Sequence, residues 1–129
     1  MTQNPDLAEK LDLIPESAHH RASIFGAVAT TLAFSDSDDW LEDAKCAMQT
    51  SAALLKNLLA ETFPAALYEI PEFAYLAWID FISPWHDKFN QAEVALLPGS
   101  VYGAGLDNYA RLNFATSPQI LKEAFTRLK

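Results

Sequence analysis

The stretch that decides the fold is YARLNFATSPQILKEAFTRLK, residues 109–129. Its first part alternates between apolar and polar residues, which is typical of a strand with one buried face. That face carries Ala110, Leu112 and Phe114. The dipeptide SP at residues 117–118 then offers an N-cap hydroxyl with proline at the first helical position, ahead of a stripe of apolar residues. The carboxyl end is therefore predicted to be a half-buried strand followed by an amphipathic helix.

Upstream of this stretch, helical and extended patterns alternate. Residues 38–61 begin with acids and repeat apolar positions at helical spacing, which predicts a long helix. Residues 73–82, FAYLAWIDFI, are apolar on both alternating faces, and this predicts a central strand that is covered on both sides. We expect a short helix over residues 89–93 and a brief buried strand over residues 94–97, ended by a proline–glycine pair. The order predicts a small α+β domain with a mainly antiparallel sheet packed by helices.

The amino-terminal part does not fit comfortably into that domain. Residues 4–13 predict a short helix that ends before Pro15. Residues 22–34, ASIFGAVATTLAF, contain no charged side chain and are apolar around nearly the whole helical circumference. A helix of this kind is normally buried on all sides. Residues 1–34 therefore lie outside the predicted α+β domain.

Composition and charge narrow the class of protein. Half of the 129 residues are hydrophobic, which is enough to bury one core. The formal net charge of −8 argues against a nucleic-acid partner, because phosphate binding needs clustered Lys and Arg. The single cysteine, Cys46, can form neither an internal disulfide nor a thiol zinc site. With no signal-peptide pattern and no membrane-spanning run, we expect a cytoplasmic protein without a membrane partner.

Three of the four glycines lie in one loop, PGSVYGAG at residues 98–105. Glycine allows the backbone to approach a ligand closely, so the loop could border a bound small molecule. It could also be a long connection between strands that needs turn residues, and the spacing alone favours this interpretation. Because a strand rather than a helix follows, the loop is not a phosphate-binding fingerprint.

Arg111 is the sharpest candidate for a binding residue. It lies on the polar side of a strand whose other side is apolar, shortly after the glycine loop. A guanidinium in such a place needs an anion, and its paired donors match the carboxylate of an amino or keto acid. The alternative is a structural ion pair with one of the 17 acidic residues, which is the commoner situation in proteins.

The histidines give weaker signals. His19 and His20 are adjacent and point to different faces, so they make a poor metal pair. His86 beside Asp87 could act as a base with its orienting acid, but no nucleophile is marked nearby and turn chemistry explains the pair more simply.

The remaining conspicuous side chains are interpreted as packing residues. Cys46, inside the long helix, is expected to be a small packed side chain. Trp40, Trp78 and Trp85 are expected in the core rather than in a base-stacking platform. No residue is assigned as a catalytic group, a cofactor anchor or a metal ligand.

A series of sequence tags in one order carries a family resemblance. The tags are SIFGAVATTLAF at residues 23–34, DDWL at 38–41, YLAWID at 75–80, LPGSVYG at 97–103 and ARLNFATSP at 110–118. Together they resemble the carboxyl-terminal region of fold-type I pyridoxal-phosphate (PLP) enzymes, in the aminotransferase class I/II superfamily, and most closely the cystathionine β-lyase group. Each tag alone is weak, but the ordered series at compatible spacings covers nearly the whole chain.

The resemblance implies a role for Arg111 and the absence of the cofactor lysine from this chain. The family's arginine at this position binds the α-carboxylate of the amino-acid substrate, which reverses the preference for a structural ion pair. The family's cofactor lysine lies in a Ser-Lys-x-x-Asn-x-x-Gly-Leu-Lys context, and no lysine here has such neighbours. The lysines are Lys10, Lys45, Lys56, Lys88, Lys122 and Lys129. PLP is therefore expected in a parent enzyme, not covalently bound by this chain, and the chain alone is expected to be inactive.

The same resemblance implies the domain assignment and the reaction. Residues 1–36 would close the large cofactor domain, and residues 37–129 would form the small carboxyl-terminal domain. The apolar helix would then lack its partners, so we expect an exposed apolar surface and a homo-oligomer. The parent enzyme would remove a thiolate from Cβ of a sulfur amino acid. Alternatives are an aminotransferase, because carboxylate recognition does not report what happens at Cβ, and a stand-alone non-catalytic dimerisation or regulatory domain.

Overall fold

The computed structural model describes residues 3–19 and 23–129. The chain consists of two compact units, Met1–Leu41 and Glu42–Lys129. The first contains helices α1 (Pro5–Asp12), α2 (Glu16–His19) and α3 (Ile24–Ser35). Helix α1 is the short helix predicted near the amino terminus, and the Asn4 side chain caps it by accepting from the backbone N–H of Asp6 at 3.0 Å. The pattern did not predict α2, and His20 lies outside the described residues.

Helix α3 is formed where the apolar run predicts it, but it is not buried. None of its residues is buried, and Phe25 and Phe34 are 82% and 88% exposed. The general expectation that an all-apolar helix is covered on every side is therefore wrong within this chain. The exposed apolar surface that the family resemblance implies is present.

Helix α4 (Asp38–Thr62) is the long helix predicted from the acidic start and the helical spacing. It buries one stripe of side chains: Ser51, Ala52, Leu55 and Leu59. It ends just before Pro64, because the residue that precedes a proline disfavours the helical conformation. The buried Ser51 hydroxyl donates to the carbonyl of Thr116 at 3.2 Å and so ties α4 to the turn that follows the last strand.

The second unit contains a three-stranded antiparallel sheet in the order β1-β3-β2. Its strands are β1 (Leu76–Asp80), β2 (Leu97–Pro98) and β3 (Tyr109–Asn113). The predicted α+β class and the antiparallel sheet are confirmed. The central strand is β3, and its face with Ala110 and Leu112 is buried, as the alternation predicts.

The prediction of a central strand over residues 73–82 is wrong. β1 is a five-residue edge strand, and Trp78 on its outer face is 39% exposed. Ala74 (φ 73°) and Ile82 (φ 64°) lie in the left-handed region on either side and interrupt the extended backbone. Apolar residues on both faces suggested double burial, but the outer face borders aromatic side chains instead of a covering layer.

The segment between β1 and β3 also departs from the prediction. Helix α5 (His86–Gln91) begins three residues earlier than expected. The strand expected over residues 94–97 is reduced to Leu97–Pro98, while Val94 and Leu96 pack partly buried against the core without pairing. Glu93 takes a positive φ of 55°, which turns the chain after α5 and keeps the next residues out of the sheet.

The core lies between the buried face of the sheet and helices α4, α5 and α6 (Pro118–Arg127). Its largest fully buried side chains are Phe89, Phe114, Phe125, Leu55, Ile79 and Leu128. Ser117 caps α6 by accepting from the backbone N–H of Ile120 at 3.3 Å, which confirms the predicted helix start. Because one face of the sheet is covered by this core, the other face is the place where polar side chains of β3 can meet a ligand.

Candidate functional site

Arg111 occupies the middle of the open face of the sheet. In the antiparallel register it lies opposite Trp78 of β1 and opposite Leu97 of β2. Directly paired residues of neighbouring strands point to the same face, so an apolar residue flanks the arginine on each side. Arg111 is half-buried, and its position follows from β3 being the central strand.

Aromatic rings surround Arg111 on this face. The ring of Tyr102, from the loop between β2 and β3, lies 5.5 Å from the Arg111 Cζ, a cation–π distance. Trp78 meets Tyr102 edge-to-face at 5.4 Å and stacks on Tyr109 at 5.5 Å. We call Trp78, Asp80, Tyr102, Tyr109 and Arg111 the arginine site.

The carboxylate in this site is engaged away from the guanidinium. Asp80 lies opposite Tyr109 in the register, and the Tyr109 hydroxyl donates a hydrogen bond to it, which raises the pKa of Tyr109. Asp80 also accepts from the backbone N–H of Ile82 at 2.8 Å. Within residues 3–19 and 23–129, no carboxylate forms an ion pair with Arg111. The structural ion pair that the sequence left open is thus not formed in the described chain.

Two glycines of the loop, Gly99 and Gly105, are required by the backbone conformation of the loop itself. Gly99 is buried in the short 3-10 helix Gly99–Val101, and a Cβ placed there would lie 2.7 Å from the Tyr109 Cβ and also meet the Leu106 carbonyl. Gly105 has a φ of 81°, which a side chain would strain. These contacts favour the interpretation of the loop as a connection that needs turn residues over one in which glycine makes room for a ligand.

A Gly99→Ala substitution is expected to destabilise the protein by about 1–3 kcal/mol, the usual cost of overpacking. The added methyl group would push against Tyr109, so we also expect altered packing in the arginine site. Gly103→Ala is the matched control, because its Cβ would meet no atom closer than 3.8 Å. Urea unfolding of the two variants checks the prediction, and equal stabilities would contradict it.

Other candidates from the sequence take no part in the arginine site. His86 stacks on Trp85 with 3.9 Å between ring centroids, which fits the structural interpretation. The side chain of His19 and the whole of His20 lie outside what the structure describes. Cys46 is exposed, so its interpretation as a packed residue is wrong. The buried stripe of α4 runs through Ser51, Ala52, Leu55 and Leu59, and Cys46 lies outside it.

The tryptophans divide between the core and the surface. Trp85 is buried as expected, whereas Trp40 is exposed and Trp78 lies in the arginine site. The expectation that all three belong to the core is therefore wrong. No local pattern in the sequence marks Trp78 as a site residue. Its position opposite Arg111 follows only from the register of β1 and β3.

The chain's lysines are the candidates for the covalent attachment of a cofactor. All six are exposed: Lys10, Lys45, Lys56, Lys88, Lys122 and Lys129. Lys45 pairs with Glu42, and the Lys88 ammonium lies 4.8 Å from the ring of Phe63. An attachment lysine must be held in an enclosed site next to the cofactor ring, and these side chains are dispersed over the surface.

The described residues contain no group of three or more His, Cys, Asp or Glu that could hold a metal ion. No helix within the described ranges is both long and apolar enough to cross a bilayer.

Solved structures with this fold define its class. The chain superposes on the "putative PLP-dependent beta-cystathionase" of Corynebacterium diphtheriae with a TM-score of 0.82 and 28% identity, over 99% of this chain and 36% of the other. A PLP-bound "putative aminotransferase" of Clostridium difficile gives 0.75 and 25% identity, over 95% and 32%. The fold is that of the carboxyl-terminal region of PLP-dependent enzymes, as the sequence tags predicted.

The sequence relatives define the group more closely. The chain is 30% identical to the "Putative cystathionine beta-lyase" of Mycobacterium leprae, over 95% of this chain and 35% of the relative. The chain is therefore homologous to the cystathionine β-lyase group of PLP-dependent enzymes, which confirms the resemblance. No family model matches the sequence. The chain spans about a third of the length of the curated relatives that it matches.

Proposed function

We propose that this chain supplies the substrate-carboxylate subsite of a PLP-dependent carbon–sulfur β-lyase that acts on sulfur amino acids. The observation that carries the proposal is Arg111, a half-buried guanidinium in the middle of an open sheet face, without a carboxylate partner among the described residues. A guanidinium in a partly apolar setting favours an anion strongly, since its paired donors match both carboxylate oxygens. The homology to cystathionine β-lyases supports an amino acid as the source of that carboxylate.

In this proposal the chain orients the substrate, and other residues of the enzyme carry the proton transfers. Arg111 holds the α-carboxylate, while Asp80 is kept from competing because it accepts from Tyr109 and from the Ile82 backbone. Bound PLP supplies the stabilisation of negative charge at Cα. Its attachment lysine is proposed to belong to the two thirds of the relatives' length that this chain does not match. The chain by itself is then inactive.

The domain assignment follows the same proposal. Residues 1–36 would belong to the large cofactor domain and residues 37–129 to the small carboxyl-terminal domain. The division of the chain into units Met1–Leu41 and Glu42–Lys129 supports a boundary in this region. The absence of any buried residue in α3 supports a helix whose covering layer lies elsewhere in the enzyme.

The test is an activity assay of the enzyme that contains this chain, purified from its source cells. L-cystathionine should release pyruvate, while a keto acid offered as amino acceptor should not be converted. Amino transfer in place of pyruvate release would indicate the second candidate, an aminotransferase, which the likeness to the aminotransferase of Clostridium difficile favours. Absence of both activities would contradict both proposals.

A third candidate, a stand-alone dimerisation or regulatory domain, is tested on the 129-residue chain itself. We expect no covalent attachment when it is titrated with PLP, because every lysine is exposed and none lies in the arginine site. Peptide mapping that finds PLP on one specific lysine would show a cofactor-binding protein and remove this candidate. If the chain were only a regulatory domain, Arg111→Gln would leave its affinity for acetate unchanged.

We further propose that the enzyme is cytoplasmic and forms a homo-oligomer. The proposed oligomer leads to a prediction for this chain. The exposed apolar side chains of α3, chiefly Phe25 and Phe34, should drive self-association in solution. Changing both to serine should shift the chain toward monomer. Phe73→Ser, at a residue equally exposed in the other unit, should not. Light scattering over a range of concentrations decides, and a clean monomer of the unmodified chain at high concentration would contradict the prediction.

A further inference from the structure

Tyr102 contacts Arg111, the arginine of the proposed carboxylate site. It follows the 3-10 helix Gly99–Val101, and its backbone N–H donates to the Gly99 carbonyl at 2.8 Å. Its side chain is about half exposed, yet one face of the ring is directed at the Arg111 guanidinium with 5.5 Å from Cζ to centroid. At that distance the ring attracts the cation and covers one of its faces.

A continuous set of contacts holds this ring in place. Asp80 accepts from the Tyr109 hydroxyl, and Tyr109 stacks on Trp78 with 19° between the ring planes. Trp78 in turn meets the Tyr102 ring edge-to-face at 82°. Trp78, Tyr109 and Asp80 belong to paired strands, so the support for Tyr102 comes from the sheet and not from its own loop.

We propose that Tyr102 is a positioning residue for carboxylate binding, which rests on the proposed function of Arg111. Its ring covers one face of the guanidinium and limits the rotation of the Arg111 side chain. Since no carboxylate among the described residues pairs with Arg111, its N–H groups can meet the two oxygens of a ligand carboxylate. An arginine that is ordered before binding loses less conformational entropy when the ligand arrives. The phenolic hydroxyl is not needed for this role, whereas the aromatic ring is.

The experiment is a titration of the 129-residue chain with sodium acetate, followed on the side-chain Nε–H signal of Arg111. Tyr102→Leu is expected to weaken acetate binding at Arg111 by about 2- to 5-fold, the scale of an exposed cation–π contact. Tyr102→Phe should retain the affinity of the unmodified chain. Tyr75→Leu is the matched control, since Tyr75 is equally exposed and is absent from the ring contacts of the described residues.

A second readout tests the contact without any ligand. The Arg111 δ-methylene protons should show an upfield ring-current shift that Tyr102→Phe keeps and Tyr102→Leu removes. Trp78→Leu, which removes the support but leaves Tyr102, should reduce both the shift and the acetate affinity. This variant keeps the proposal open to test if Tyr102→Leu does not fold.

The outcomes separate this inference from the proposed function. If acetate binding in the unmodified chain survives Arg111→Gln, or is not observed, the carboxylate site itself is refuted, whatever the ring-current shift shows. If acetate binds through Arg111 but Tyr102→Leu or Trp78→Leu preserves both the affinity and the shift, the positioning role is refuted and the site stands. Loss of affinity in Tyr102→Leu with retention in Tyr102→Phe supports both.

Discussion

Replacing Arg111 by glutamine should lower kcat/KM for cystathionine by about 10- to 100-fold in the enzyme that contains this chain, the scale of hydrogen bonds to a charged group. Glutamine keeps a donor but loses the charge and the paired N–H geometry that match a carboxylate. The kcat/KM of Arg111→Lys should lie between those of the unmodified enzyme and of Arg111→Gln, because a point-charge ammonium retains the attraction without the paired contact. Steady-state kinetics of the three proteins measure the effect.

The division of the loss in kcat/KM between KM and kcat can also be predicted. A carboxylate is held alike before and during the reaction, so most of the loss should appear as a raised KM. Arg127→Gln is the matched control, since that arginine pairs with Glu123 at 2.9 Å on an exposed face of α6. Unchanged kinetics in Arg111→Gln would remove Arg111 from the substrate site.

Phe125→Ala should destabilise the second unit by about 3–5 kcal/mol, because it leaves a cavity that the surrounding core cannot fill. Phe125 is 1% exposed and is one of the largest side chains between α6 and the sheet. The measurement is urea unfolding followed by far-ultraviolet circular dichroism.

The same helix offers the control for that prediction. Ile120 is 61% exposed, so Ile120→Ala should change the free energy of unfolding by no more than about 0.5 kcal/mol. Both residues belong to the apolar residues that follow the serine–proline pair, and the structure buries Phe125 while it leaves Ile120 exposed. Comparable losses in both variants would mean that α6 packs through a different face.

The elements that repeat a local pattern were predicted well. Helix α4 begins at the acidic start that the sequence indicates, and α6 begins at its serine–proline pair. β3 buries Ala110 and Leu112, as alternation requires. Each of these patterns depends on residues two to four positions apart, which lie on one side of the backbone whatever the rest of the chain does.

Features that depend on distant partners were not predicted. The run around β1 has the composition of a central strand, yet β3 takes the centre and leaves β1 at the edge. Trp78 is expected in the core, but it lies opposite Arg111 in the register and contacts the rings of Tyr109 and of Tyr102, which is in a loop. Strand order and register bring these residues together, and neither is encoded in local spacing.

By itself, the stretch at residues 109–129 determined a strand with one apolar face, a capped helix after it and an arginine on the opposite face. The sequence tags added the enzyme group. Tertiary structure alone placed that arginine in the middle of the open face, turned Asp80 toward Tyr109 and brought the ring of Tyr102 against the guanidinium. The physical reason is that periodicity sets which side of an element a residue occupies, whereas its partner comes from chain segments that meet through folding.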